Sequence, residues 1–139
     1  MTIQIINGPN LNLLGKREPD IYGSTDFESY LKSLRLWYSE IDIKYFQSNQ
    51  EGAIIDIIHQ NGFAGAGIIL NAGAFTHYSY AIADAVAAVS VPVVEVHISN
   101  VYAREAHRRH SCIAPHCAGV IAGLGLSVYR LAVDYLKNR

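Results

Sequence analysis

Short apolar runs recur along this chain, and a segment of helical periodicity follows each of them but one. "TIQIIN" (2–7), "IDIKYFQS" (41–48), "AGIILNAG" (66–73), "VPVVEVHIS" (91–99) and "GVIAGLG" (119–125) read as strands. The third is almost continuously apolar, as a parallel strand covered on both faces must be. Pro92 stands at the start of the fourth, where a missing N–H is tolerated. Helical patterns fill "STDFESYLKSLRLWYSE" (24–40), "EGAIIDIIHQN" (51–61), "THYSYAIADAVAAV" (76–89) and "LSVYRLAVDYLKNR" (126–139). In the first helix Thr25 and Glu28 are spaced as a capping box, with Phe27, Leu31, Leu34 and Tyr38 on one face. Gly62 takes a C-cap position and Thr76 the cap of the third helix.

This alternation predicts a single α/β domain over 1–139: a flavodoxin-like three-layer sandwich with a five-stranded parallel sheet of order 2-1-3-4-5. In such sheets ligands bind beyond the carboxyl ends of the strands, at the switch point between strands 1 and 3. The polar residues gather there. Strand 1 runs out to Asn10 and strand 3 to Asn71, followed by His77 in a first helical turn. Strand 4 carries Glu95 and His97 into Ile98, Ser99 and Asn100. A turn role accounts for either asparagine alone, and a lone histidine on an apolar strand is commonly a satisfied core residue. Glu95 and His97, however, are two apart and so share a face. A carboxylate there orients an imidazole and favours its charged form, a recurring support for a general acid. Arg104 and Arg108 are four apart on an expected short helix, where a solvated face is the default. His77 and Asp84 are seven apart on one helix face. Asp84 interrupts a small, apolar run and so calls for a partner, on this subunit or another.

The loop "NGPNLNLLGKREPDIYGS" (7–24) is long for a compact domain, which marks it as functional or disordered. It carries Arg17 and Tyr22, five residues apart. Net charge of −1 argues against nucleic acid and anionic membranes as partners. No run approaches the length of a membrane span, and the start does not resemble a signal peptide. Two cysteines are too few for a disulfide framework, so a cytoplasmic location is expected.

The blocks "INGPNLNLLGKREPDIYG" (6–23), "ILNAGAFTHYSYAIADA" (69–85), "VPVVEVHISNVYAREAHRRHS" (91–111) and "GVIAGLG" (119–125) resemble, in order and over nearly the whole chain, the type II 3-dehydroquinate dehydratases. The resemblance implies a flavodoxin-like subunit in a homo-dodecamer built from trimers. It also implies cofactor-free and metal-free loss of water from 3-dehydroquinate, giving 3-dehydroshikimate, in the shikimate pathway or in quinate breakdown. By it, Tyr22 is the general base, Arg17 the cation beside it, and Asn10 the holder of a water near the enolate oxygen. His97 is the general acid, supported by Glu95. Asn71, His77 and Arg108 grip the ring hydroxyls, while Ser99 and the Ile98 backbone N–H bind the carboxylate. Asp84 is lent to a neighbouring subunit's site, and Arg104 orders the lid. Phe75, Tyr78, His107 and Cys112 depart from residues common in the family, which bears on pocket shape and efficiency.

The chemistry fits these residue types. A tyrosine, with a pKa of about 10, is only ~0.1% ionised at pH 7. Lowering that by ~2–3 units takes roughly 3–4 kcal/mol. One cation at ~4 Å in an effective dielectric of ~20 supplies about that much. Competing chemistries fit less well. The opening loop lacks the G-x-x-x-x-G-K-[ST] spacing of a phosphate loop, and "GLGLS" (123–127) reads as a tight strand-to-helix turn. Lys16, Lys32, Lys44 and Lys137 are placed poorly for imine formation. "CIAPHC" (112–117) lacks zinc-finger spacing, and "REAHRRHS" (104–111) has no interleaved aromatics for nucleic acid. The remaining alternative is a non-catalytic flavodoxin-like module binding a small molecule or phosphate, such as a flavin carrier or a signalling receiver. A receiver requires an acidic cluster after strand 1, where this chain has Asn7 and Asn10.

Overall fold

The computed structural model describes residues 1–16, 18–22 and 24–139, without the side chains of Pro19 and Tyr22. Strands β1 (Thr2–Asn7), β2 (Asp42–Gln47), β3 (Gly67–Asn71), β4 (Val93–His97) and β5 (Gly119–Ala122) form one sheet. All neighbours are parallel and the order is β2-β1-β3-β4-β5, as the alternation predicts. Helix α1 (Pro19–Tyr22) is a single short turn. Helices α2 (Phe27–Trp37), α3 (Glu51–Asn61), α4 (Tyr80–Ala88) and α5 (Ser127–Lys137) cover the sheet. Among the described residues no helix is long and apolar enough to cross a membrane.

The period of two in the strands divides the core in two. Ile3, Ile5, Ile69, Val94 and Val96 pack against Leu31 and Leu34 of α2 and Tyr129 and Val133 of α5. Ile6, Ile68, Leu70 and Val93 pack on the other face against Ile54 and Ile58 of α3 and Ile82 and Val86 of α4. Fully burying one such aliphatic side chain contributes about 1.5–3 kcal/mol. The same alternation sends Glu95 and His97 to the α3/α4 face, and Asn7 and Asn71 to the α2/α5 face. In register Asn7 stands beside both Gln47 and Asn71, so polar side chains cluster at one edge of the sheet.

Several local expectations need correction. The cap of α2 is Asp26, whose carboxylate accepts the Ser29 N–H at 2.7 Å, and not Thr25 paired with Glu28. A carboxylate is the stronger acceptor, and starting one residue later still sends Phe27 into the core. Thr76 caps nothing. The chain makes a separate 3₁₀ turn over Gly73–His77, and α4 starts only after Ser79, whose hydroxyl accepts the Ile82 N–H at 3.1 Å. Thr76 is buried, and among the described residues its hydroxyl has no hydrogen-bond partner, so it accepts no helix N–H. His77 and Asp84 consequently do not share a helix. Gly62 does end α3, but with φ −89°, so it is not there for a left-handed turn. A Cβ on it would fall 2.1 Å from a Val89 methyl. Close packing against Val89 is what requires glycine there.

Candidate active site

A cavity of about 140 Å³ opens beyond the carboxyl ends of β1, β3 and β4, at the switch point. Asn10, Asn71, His77 and His97 line it from these strand ends and the turns that follow. Ile98, Ser99, Arg104 and Arg108 close it from the β4 side. The structure thus brings together all but a few of the residues expected from the sequence. Arg17 and the side chain of Tyr22 lie outside the described residues. Asp84 is exposed on α4 and does not line the cavity of its own chain.

His97 is 8% exposed, and its Nε2 lies 2.7 Å from Oε2 of Glu95, itself 2% exposed. The carboxylate can only accept, so Nε2 carries a proton and Nδ1 is the nitrogen left to act elsewhere. Glu95 Oε1 accepts a second bond, from the Ser111 hydroxyl at 2.7 Å. A buried carboxylate costs stability unless it is bonded, and both of its oxygens are engaged here.

His77 is anchored differently. Its Nδ1 donates to the His110 carbonyl at 2.8 Å, which leaves Nε2 as an acceptor. Burial, the largest influence, holds its pKa below the ordinary histidine value, with the charges of His97, His107 and Arg108 acting the same way. A neutral ring can accept a hydroxyl proton where an imidazolium cannot. His107 meets this ring edge to face, with centroids 5.7 Å apart.

Arg104 and Arg108 are not on one helix. They belong to two 3₁₀ segments, Val101–Ala103 with Arg104 as its C-cap, and Ala106–Arg109, with extended backbone at Arg104 between them. Both nevertheless face inward: their side chains are 11% and 23% exposed, far from a solvated face. Arg104 donates to Ser99 Oγ at 3.2 Å and lies 3.9 Å from Glu18 of the opening loop. Arg108 spends its Nε on Glu105 at 3.2 Å. Two guanidinium groups on a small cavity favour an anionic ligand.

The asparagines are held as firmly. Asn10 has φ 69°, a left-handed conformation asparagine tolerates, and its N–H donates to Asn49 Oδ1 at 3.0 Å. Asn71 donates from Nδ2 to the Tyr129 hydroxyl at 3.0 Å and accepts the Gly73 N–H at 3.2 Å. An amide side chain has two donors and two acceptor sites, so one of each remains for a ligand. Tyr129 in turn donates to Asn7 Oδ1 at 2.7 Å. Gly8 lets β1 and β3 approach at this edge; a Cβ there would lie 2.6 Å from the Ala72 carbonyl oxygen. "GLGLS" is the tight turn the sequence suggests. Gly123 and Gly125 adopt φ 90° and 64°, and their N–H groups bond to the carbonyls of His97 and Ile98.

Sequence reading misses Tyr129, Ser111, Glu18 and the His110 carbonyl. Tyr129 has the spacing of an ordinary core aromatic on α5. Ser111 lies inside a block quoted for its histidines and arginines, and a backbone carbonyl has no signature in sequence at all. The thiols stay outside the site: Cys112 and Cys117 point at the carbonyls of Thr76 and Ile113, and burial pushes the Cys117 pKa up to about 12.

Comparison with known proteins places this arrangement. The family model for class II dehydroquinases matches residues 1–137. The 3-dehydroquinate dehydratase of Caldicellulosiruptor saccharolyticus is 54% identical over 139 residues, covering 98% of this chain and 96% of its own. That of Bacillus licheniformis is 52% identical, covering 98% and 95%. Among solved structures, the type II dehydroquinase of Butyrivibrio crossotus superposes with a TM-score of 0.93 at 48% identity, over 99% of this chain and 97% of that one. A 3-dehydroquinate dehydratase-like protein of Bifidobacterium longum gives a TM-score of 0.69 at 28% identity, over 100% and 99%.

Proposed function

This chain belongs to the class II dehydroquinase family, and from that premise we propose how its residues divide the work of dehydrating 3-dehydroquinate. The protein is a hydro-lyase that removes water from this substrate to give 3-dehydroshikimate. Tyr22, as phenolate, takes a proton from the carbon next to the ketone, and the electron pair moves onto the carbonyl oxygen. Arg17 stabilises that phenolate. A water held by Asn10 donates to the enolate oxygen. The enolate then collapses: the C=O re-forms, a C=C bond forms, and the hydroxyl one carbon further on leaves with a proton from His97 as water. Exchange with solvent restores both residues. Each role falls to a side chain or a water, and the account calls on no cofactor.

The observation that carries this reading is the Glu95–His97 pair. Its 2.7 Å bond occupies Nε2 and leaves Nδ1 as the proton-donating atom beside the cavity. Arg108, with Ser99 and the Ile98 N–H, fits a carboxylate and ring hydroxyls. The remaining donor and acceptor of Asn71 and the Nε2 of neutral His77 suit hydroxyl groups of a cyclic polyol. Glu18 beside Arg104 brings the opening loop to the cavity mouth, which supports a lid carrying Arg17 and Tyr22.

At the level of assembly the reading includes a homo-dodecamer of trimers in which Asp84 reaches a neighbour's site. The exposure of Asp84 on α4, away from its own chain's cavity, supports that reach. A cytoplasmic setting is proposed from the two free thiols. The test is direct: adding 3-dehydroquinate to the purified protein should raise the ultraviolet absorbance of the conjugated enone. A flat trace with intact protein and authentic substrate would overturn the reading.

A further inference from the structure

We propose that Ser111 is a positioning residue for the acid step, acting through Glu95 to aim His97 at the leaving hydroxyl. This rests on the role given to His97 above. The hydroxyl of Ser111 accepts two backbone N–H groups, Ile113 at 3.2 Å and Ala114 at 3.0 Å. A serine oxygen has two acceptor sites, and both are then filled. Its own proton must go outward as a donor, and its acceptor is Glu95 Oε1 at 2.7 Å. Polarity therefore runs one way: backbone N–H to Ser111, Ser111 to Glu95, and Glu95 as acceptor of the His97 Nε2 proton. Bonds aligned head to tail in this manner polarise one another.

The geometry explains what the serine adds. A carboxylate gripped at one oxygen still swings about its terminal torsion, which is broad and roughly two-fold. Gripping the second oxygen removes that freedom, so Oε2 stays aimed at the imidazole and Nδ1 stays where the hydroxyl departs. Ser111 reaches Glu95 from outside the sheet, on the segment after the Ala106–Arg109 turn. Its neighbour His110 contributes the carbonyl that fixes His77. Two adjacent residues of one segment thus orient both histidines of the cavity, although neither is among the residues lining it.

The test is a set of variants assayed by enone absorbance. Ser111→Ala should lower kcat about 10- to 100-fold, with KM within about twofold, because misaiming a reacting group slows chemistry without loosening ground-state contacts. Ser111→Thr keeps the donor and should recover to within about threefold of the parent. The decisive arm is Ser111→Ala in a Glu95→Gln background. A glutamine whose oxygen faces His97 turns its NH₂ toward Ser111, which has no acceptor site left, so the serine's aid is already lost. There the further loss should be under about twofold. A purely structural serine, holding only the 111–114 turn, would cost the same factor in both backgrounds, and that result would overturn the proposal. So would wild-type kcat for Ser111→Ala while His97→Gln is inactive. If His97→Gln itself keeps normal turnover, the acid assignment falls and this proposal with it. Thermal melts of every variant confirm that each protein compared is folded; should Glu95→Gln not fold, failure of Ser111→Thr to recover overturns the proposal instead.

Discussion

Replacing Tyr129 by Phe removes one oxygen from the centre of the molecule and leaves the ring packing alone. Tyr129 is 0% exposed, and its ring packs edge to face on Phe27 with centroids 4.8 Å apart, a contact phenylalanine keeps. What disappears is the bridge between strand ends: the bond to Asn7 at 2.7 Å and the bond from Asn71 at 3.0 Å. Asn7 and Asn71 are themselves only 1% and 4% exposed, so water has poor access to the groups left behind. A buried polar group deprived of its partner costs about 1–3 kcal/mol. Two such groups, offset by the lower cost of burying a ring without a hydroxyl, give a loss of about 2–4 kcal/mol. For a domain of this size that lowers Tm by roughly 10 °C. Asn71 also loses the acceptor that fixes its amide, so KM should rise about three- to tenfold with a smaller change in kcat. Urea melts with enone kinetics measure both. A destabilisation under about 0.5 kcal/mol with unchanged KM would refute the argument that this hydroxyl organises the switch point.

The same residue has a pH signature. Burial holds the Tyr129 pKa far above the ordinary phenol value, so above pH about 10 the unfolded chain releases a proton that the native state keeps. Stability must then fall with rising pH, and the fall should be shallower in Tyr129→Phe.

Other outcomes follow from the same structure. Asp26→Ala should cost about 1 kcal/mol and Thr25→Ala almost nothing, and equal losses in chemical melts would restore the rejected capping box. Tyr22→Phe should collapse kcat while substrate still binds, and near-normal turnover would remove it as the base. Asp84→Ala should disturb assembly, and an unchanged sedimentation profile would contradict a cross-subunit role. His77, with its pKa lowered, stays neutral when the unfolded chain protonates, so its contribution is complete above pH about 6.5 and is lost as pH falls through the ordinary histidine range. His77→Gln should flatten that part of the pH–stability curve, and an unaltered slope would argue against a buried neutral ring.

Much of this was legible in one dimension, and the reasons are physical. Strand and helix periods of 2 and 3.6 dictate which residues can be buried together, and the handedness of parallel crossovers leaves few orders for five strands. The pairing of Glu95 with His97 was readable because alternation along one strand forces a shared face. The caps were less legible. Thr25 and Asp26 are both competent, and only the folded chain shows that the Asp26 carboxylate, the stronger acceptor, takes the Ser29 N–H. Thr76 and Ser79 pose the same choice, resolved by the 3₁₀ turn that carries His77 to the cavity.

The sequence by itself therefore determined the layers, the strand order and the edge where chemistry collects, since these follow from local periodicity and chain direction. Only the tertiary structure decided how each side chain is held. Tyr129 meets Asn7 across 122 positions, and Ser111 meets Glu95 across the gap between a loop and a buried strand. Directional bonds of about 3 Å between residues so far apart depend on the whole packing at once, which no local pattern encodes.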